Sequence, residues 1–299
     1  MASRTRSVGD SWKVSTLRRL SPLGKTFVAI GIYGVWTAIT WILEGRIQTL
    51  LRPEATADRI IYTGVANLLV GTVLALWLVR GFVVAGFLTR ERLGFRSSSR
   101  TLVAVLLAGV LGFLFYVVQQ PPSTDPVVVL NAFAQVLPVS IAEIVVCWVV
   151  VGGSVLALLR KRGTSEYLSK GVAIAVSSVL FGVYHLAHSP PFNTPEMIGL
   201  LTGIGVVTST FYFVGQSAYG ALVLHNFLAL FGVTSALAEA GRLGAYQEPV
   251  VPLLVTALVS LAVFVTIERT LVSPPDDSRT APADRSEGGP LGERTDGPD

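Results

Sequence analysis

The longest apolar run in this chain spans residues 127–159 and reads VVVLNAFAQVLPVSIAEIVVCWVVVGGSVLALL, with Glu143 as its only charged residue. A helix needs about 20 mainly apolar residues to cross the hydrocarbon core of a bilayer, which is about 30 Å thick. This run is longer, so we expect a transmembrane helix that tilts or projects at one end. Shorter runs of the same kind lie at residues 26–43, 60–79, 101–118, 171–185, 197–214, 218–237 and 250–267. The sequence therefore predicts an all-α fold, a polytopic membrane helix bundle with about eight transmembrane helices.

The overall composition agrees with a membrane location. The chain is 51% hydrophobic and only 14% charged, and its mean hydropathy is +0.62. Soluble domains are about 25% charged, so a soluble two-domain enzyme and a disordered chain are both excluded. The single cysteine, Cys147, lies inside an apolar run, which excludes a disulfide framework. No basic stripe with interleaved aromatic residues is present, so we expect the lipid bilayer, and no nucleic acid, as a partner.

The basic residues predict the orientation of the bundle. Lys and Arg are concentrated in residues 1–25, 80–100 and 160–170, whereas residues 119–125 and 186–196 contain neither. Loops rich in Lys and Arg remain on the cytoplasmic side of a membrane. We therefore expect a multi-pass protein of the cell membrane with both termini in the cytoplasm.

The same patterns divide the chain into three segments. Residues 1–25 form a basic N-terminal segment that we expect in the cytoplasm, and residues 26–270 form the membrane domain. Residues 271–299 are rich in Pro, Gly, Asp and Ser and carry an acidic excess. A segment of that composition cannot bury a hydrophobic core, so we predict a disordered acidic C-terminal tail.

Few ionisable side chains interrupt the apolar runs. An ionisable group at the centre of a membrane helix costs about 2.5–3.5 kcal/mol, so such groups are rare and usually functional. Glu143, His185 and His225 are the candidates here, and Asn226 adjoins the last of them. We expect Glu143 to be the single acid within the spans, and His188 to be a boundary residue that faces water.

A carboxylate and two imidazoles on three different helices can do two kinds of chemistry. They are typical ligands of a catalytic zinc ion that keeps one position open for water. Without a metal, the carboxylate can act as a general base while the imidazoles orient water or stabilise an oxyanion. Alternatively, Glu143 is protonated and hydrogen-bonded to a neighbouring helix, and His185 is an ordinary interhelical hydrogen-bonding group.

These residues resemble the CPBP intramembrane proteases, which include the type II CAAX prenyl endopeptidases and the bacteriocin-processing, Abi-like immunity proteins. The family pattern is Glu-Glu-x-x-x-Arg, then Phe-x-x-x-His, then His-x-x-x-Asn or Asp. The resemblance covers residues 127–237 in order and spacing. Its clean match is the second motif, which Phe181 and His185 form.

The resemblance implies an intramembrane endopeptidase that hydrolyses a peptide bond in a membrane-bound or lipidated peptide substrate. Glu143 would activate the attacking water together with His185. His225 and a nearby Asn, here Asn226, would bind a metal or polarise the scissile carbonyl. The implied metal ligands are Glu143, His185 and His225, and zinc is the divalent metal expected there.

The first motif departs from the family pattern. If Glu143 is the second Glu, Ala142 replaces the first Glu and Cys147 replaces the Arg. If Glu143 is the first Glu, Ile144 replaces the second and Trp148 replaces the Arg. We prefer the latter register, because replacing a whole buried ion pair with apolar residues can be nearly neutral.

The third motif departs as well. Ala229 stands four residues after His225, where the family has Asn or Asp, and Asn226 is the next residue instead. The two positions differ by about 60° around a helix and about 4.5 Å along it. Asn226 is therefore expected to reach the same cavity from a different point.

These departures leave two alternatives to an active protease. One is a catalytically impaired pseudoprotease that binds membrane clients. The other is a proton- or ion-coupled transporter in which Glu143 and the histidines relay charge. The chain shows no internal repeat of the kind that secondary transporters have.

Overall fold

The computed structural model describes residues 16–49 and 51–272, and this part of the chain forms eight long helices and no β-strand. The helices are α1 (Pro22–Gly45), α2 (Thr56–Val84), α3 (Ser98–Val118), α4 (Pro126–Lys161), α5 (Glu166–Ala187), α6 (Pro195–Gly215), α7 (Ala218–Glu239) and α8 (Val251–Val272). Each belongs to a segment long and apolar enough to cross a membrane. The predicted all-α membrane bundle is confirmed. The predicted acidic tail lies outside the described residues from position 273 onwards, as do residues 1–15 of the basic N-terminal segment.

Polar caps set where several helices begin. The Asp125 carboxylate accepts hydrogen bonds from the backbone N–H groups of Val127 and Val128 at the start of α4. Such caps satisfy N–H groups that have no partner within the helix. The side chains of Ser21, Ser165, Thr194 and Ser217 cap α1, α5, α6 and α7 in the same way. The predicted spans include only the apolar runs and leave out these polar first turns. Most helices therefore begin earlier than the sequence predicts.

Helix α4 lies at the centre of the bundle. It packs against α2, α7 and α8, and nearly all of its membrane segment is buried. A helix that is hydrophobic on all sides must be surrounded by other helices or by lipid. By contrast, α3 packs mainly on α7 and exposes the rest of its apolar surface. This central position of α4 places Glu143 inside the protein.

The backbone of α4 changes its winding next to Glu143. The α-helical part ends at Glu143, and residues Ile144–Gly152 continue as a π-helix. Departures of this kind from α-helical winding frequently occur at functional sites. Pro138, one and a half turns earlier, removes one backbone hydrogen bond from the same helix. Glu143 is thus held between two irregularities of the central helix.

Helices α5 and α6 approach each other closely. A Cβ atom added to Gly205 of α6 would lie 2.9 Å from the Cα atom of Ser178 on α5. Small residues allow such close approach between membrane helices. The close pair carries His185 on α5 and Thr208 on α6, and both side chains contribute to the site described next.

Candidate active site

Three helices bring Glu143, His185 and His225 together inside the bundle. The Glu143 Oε2 atom lies 2.8 Å from His225 Nε2, and Glu143 Oε1 lies 3.7 Å from His185 Nε2. All three residues are at least 94% buried, with exposed fractions of 3%, 6% and 0%. Residues separated by at least 40 positions along the chain therefore converge on one carboxylate.

His225 has partners for both of its ring nitrogens. Its Nδ1 atom lies 3.1 Å from the Oγ1 atom of Thr208, a buried residue of α6. One arrangement satisfies all of these atoms with Glu143 as the acceptor: His225 Nε2–H donates to Glu143, and Nδ1 accepts from the Thr208 hydroxyl. This pair of contacts fixes the His225 ring and one oxygen of Glu143.

His185 has a free ring nitrogen. Its Nδ1 atom lies 2.9 Å from the carbonyl oxygen of Phe181, and a carbonyl only accepts, so Nδ1 carries the proton. In the neutral ring, Nε2 then presents a lone pair towards Glu143 Oε1. The separation of 3.7 Å is too long for a direct hydrogen bond. A water molecule about 2.8 Å from each atom fits between them and can donate one hydrogen to each.

The gap between Glu143 and His185 borders a cavity of about 390 Å³. Most of its wall is apolar and comes from α4, α6 and α7, including Val136, Val139, Leu201, Ile204, Leu228 and Phe231. At the far end are Gln119, which follows α3, and Glu239, the last residue of α7, and both are exposed. The cavity therefore runs from the buried site to the end of the bundle where α3, α5 and α7 terminate.

His188 is buried at this cavity, and the expectation that it faces water is wrong. Its exposed fraction is 3%, and neither ring nitrogen has a hydrogen-bond partner. The chain folds back on itself after α5, so the His188 ring stacks on His185 with ring centroids 4.9 Å apart. The pKa of His188 lies well below its usual value. Burial is the larger cause, and the neighbouring His185 is the smaller one. His188 is consequently neutral at pH 7.

The sequence predicts Glu143 as the single acid within the spans, but the structure buries other acids in the bundle as well. Glu44 and Glu268 are also buried. Glu44 accepts hydrogen bonds from the backbone N–H of Thr49 and from the hydroxyls of Thr49 and Ser189. Both glutamates lie just beyond the ends of the predicted apolar runs, which is why a search restricted to those runs missed them.

The structure places Asn226 outside the cavity. Its amide nitrogen donates to the Phe133 carbonyl of α4 at 3.1 Å, and its side chain does not line the cavity. Ala229, at the family position for Asn, does line the cavity. Of the four predicted site residues, three thus come together and Asn226 instead joins α7 to α4.

Trp148 packs beside the site. Its ring lies 5.2 Å from the ring of His225 and 5.2 Å from that of Phe181, and its indole N–H donates to Ser209. Phe181 in turn makes edge contacts with both His185 and His225. Cys147 is fully buried and does not line the cavity.

The site residues do not fit a bound metal in this arrangement. Within the described part of the chain, no group of three or more His, Cys, Asp or Glu side chains is placed to hold a metal ion. The reason lies in the contacts, because Glu143 and His225 use their facing atoms to bond to each other. These contacts do not support the expected zinc ion at Glu143, His185 and His225.

Eight membrane-length helices around a carboxylate and imidazoles define an integral membrane protein with the groups that a hydrolytic site requires. Residues 150–231 match the family model described as type II CAAX prenyl endopeptidase Rce1-like. This segment contains Phe181, His185 and His225, and it begins after Glu143. The match confirms the resemblance to the CPBP family that the motifs indicate. Comparisons with curated proteins and with solved structures give no match.

Proposed function

We propose that this protein is an intramembrane endopeptidase of the CAAX-protease-like type. It hydrolyses a peptide bond in a membrane-bound or lipidated substrate with a water molecule activated by Glu143 and His185. One observation carries the proposal: the 3.7 Å gap between Glu143 Oε1 and His185 Nε2 lies at the wall of an apolar cavity. Two acceptors at that separation hold both hydrogens of one water and leave its lone pairs directed away from them.

The reaction follows from this arrangement. The water oxygen attacks the carbonyl carbon of the scissile peptide while Glu143 Oε1 takes one of its protons. The resulting tetrahedral intermediate carries the negative charge on the former carbonyl oxygen. Glu143 then returns the proton to the amide nitrogen, the carbon–nitrogen bond breaks, and a carboxylic acid and an amine leave the site.

His225 and Thr208 act as positioning residues in this scheme. The hydrogen bond from His225 occupies Glu143 Oε2, so Oε1 is the oxygen available to the water. Thr208 holds the opposite side of the His225 ring. Such preorganisation matters because misplacement of a catalytic group by about 1 Å can cost about 100-fold in rate.

The cavity wall supports a hydrophobic substrate that enters from one end of the bundle. Its apolar side chains can bury a lipid group or an apolar peptide segment. By the distribution of basic loops, the ends of α3, α5 and α7 lie on the non-cytoplasmic side. We infer that the substrate reaches the site from that side of the cell membrane, within the lipid bilayer.

The proposal is tested with purified protein in liposomes. The substrates are a quenched fluorescent peptide with an S-farnesyl cysteine near its carboxyl end and the same peptide without the lipid. Glu143→Gln keeps the size of the side chain but removes the base, so we expect cleavage to fall by about 10³-fold. Glu248→Gln is the matched control, because Glu248 is exposed and lies outside the cavity, and it retains activity. Cleavage of neither peptide by the wild type would favour non-catalytic client binding instead.

A further inference from the structure

Hydrolysis at this site needs a hydrogen-bond donor for the oxyanion, and the expected donors are all engaged or absent. Both nitrogens of His225 have partners, and the N–H of His185 donates to the Phe181 carbonyl. Asn226 donates to α4, and Ala229 has no polar group. Removing one such donor from an enzyme typically costs about 10²–10³ in kcat, so an active site without any donor would be slow.

His188 can supply the missing hydrogen-bond donor. Among the described residues that line the cavity, it is the one whose fully buried side-chain nitrogens have no hydrogen-bond partner. A buried polar group without a partner destabilises the structure because it has lost its hydrogen bonds to water. A substrate oxygen in the cavity would remove that cost, and a developing negative charge would make the stronger bond.

The His188 ring is held in place on several sides. It stacks on His185 with an interplanar angle of 21°, and its edge meets the ring of Tyr184 at 4.9 Å between centroids. Its backbone N–H donates to the His185 carbonyl at 3.0 Å. The next residue, Ser189, donates to the buried carboxylate of Glu44 at 2.8 Å. A donor fixed in this way needs little reorganisation when charge develops, which is the condition for oxyanion stabilisation.

We propose that His188 is the oxyanion donor of this protein and takes over the task that the family gives to the Asn or Asp four residues after the last His. The inference rests on the proposed endopeptidase function. The neutral imidazole donates one N–H to the carbonyl oxygen as the water adds. No proton is transferred to that oxygen, and the hydrogen bond weakens again when the carbonyl re-forms and the amine departs.

The test compares His188→Phe with His188→Gln in the liposome assay with the farnesylated peptide. Phe keeps an aromatic ring for the stack on His185 but has no N–H, so kcat falls by about 10²–10³-fold while KM changes by less than about threefold. Gln supplies an N–H of similar reach, so its kcat exceeds that of the Phe variant by at least about tenfold. Tyr167→Phe, an aromatic change at an exposed position outside the cavity, keeps wild-type kcat. Thermal unfolding of each variant shows whether the fold is retained.

The outcomes separate this inference from the proposed function. Wild-type kcat in His188→Phe, together with an inactive Glu143→Gln, overturns the role of His188 and leaves the endopeptidase standing. If His188→Phe does not fold, the His188→Gln variant tests the role instead. A folded Gln variant with kcat below about a thousandth of the wild-type value would overturn the role of His188 as oxyanion donor. A wild-type protein that cleaves neither peptide overturns both proposals.

Discussion

The three imidazoles at the site differ in how many of their ring nitrogens are engaged. His225 has partners on both nitrogens, His185 has one on Nδ1, and His188 has none. In the proposed reaction these differences give each ring a different task. A ring bonded on both sides can only position another group, a ring with one free lone pair can hold a water, and an unpaired ring is available to the substrate.

The role of Thr208 gives a prediction for a residue that the sequence did not single out. Thr208→Val preserves the shape of the side chain but removes the hydroxyl that bonds to His225 Nδ1. The loss of such a hydrogen bond costs about 1–1.5 kcal/mol, so we expect kcat to fall by about tenfold with little change in KM.

The matched control for that change lies on the same helix. The Thr210 hydroxyl bonds to the Val206 carbonyl of its own helix and its side chain is exposed, so Thr210→Val should leave kcat unchanged. Equal kcat values in the Thr208 and Thr210 variants would show that His225 does not depend on its second hydrogen bond.

The sequence could predict Glu143, His185 and His225 because a polar group in an apolar run stands out by its cost. It could not predict Thr208 or His188 as site residues. A threonine is common in membrane helices, and its partner on another helix is a matter of packing. The burial of His188 depends on how the chain turns after α5, which no local pattern in the sequence determines. The sequence wrongly places Asn226 at the cavity, because its neighbour in sequence, His225, faces a different side of α7.

At the scale of the helices, α4 is the element around which the site is organised. Its length and apolar character were evident in the sequence, which predicts a span that tilts or projects at one end but not a central, buried helix. The change to π-helical winding directly after Glu143 was not evident, because it depends on the helices packed around α4. The bond from Asn226 to Phe133 shows the same dependence, since a side chain of α7 bonds to a backbone carbonyl of α4.

This reading of Asn226 as a packing residue can be tested by mutation. Asn226→Ala removes the bond to the Phe133 carbonyl, and hydrogen bonds between membrane helices contribute about 0.6–1.7 kcal/mol. We therefore expect a lower unfolding temperature in detergent and a kcat within about twofold of wild type. A variant that unfolds like the wild type but cleaves far more slowly would instead place the amide in the chemistry.

At the scale of the whole molecule, the basic loops and the cavity lie at opposite ends of the bundle. The cavity reaches the end where α3, α5 and α7 terminate, and the Lys- and Arg-rich segments precede α1, α3 and α5 in the sequence. The positive-inside rule then places the cavity entrance outside the cytoplasm. The orientation is a prediction from charge, and the position of the cavity relative to the loops comes from the fold.

Helix α3 offers a matched pair of positions for testing that orientation. Ser99 lies at its start and Gln119 follows its end, and both are exposed. In intact cells, a membrane-impermeant maleimide should label Gln119→Cys and leave Ser99→Cys unlabelled until the cells are opened. The native Cys147 is fully buried and gives no background. The reverse labelling pattern would place the cavity entrance on the cytoplasmic side.

The central claim is that Glu143 activates a water inside the membrane domain, and turnover of the farnesylated peptide in ¹⁸O-labelled water measures it most directly. Mass spectrometry of the wild-type reaction should show ¹⁸O in the newly formed carboxylate, with the same result for Glu248→Gln. Glu143→Gln should form that product at about a thousandth of the wild-type rate or less. Product formation by Glu143→Gln at the wild-type rate would contradict the account.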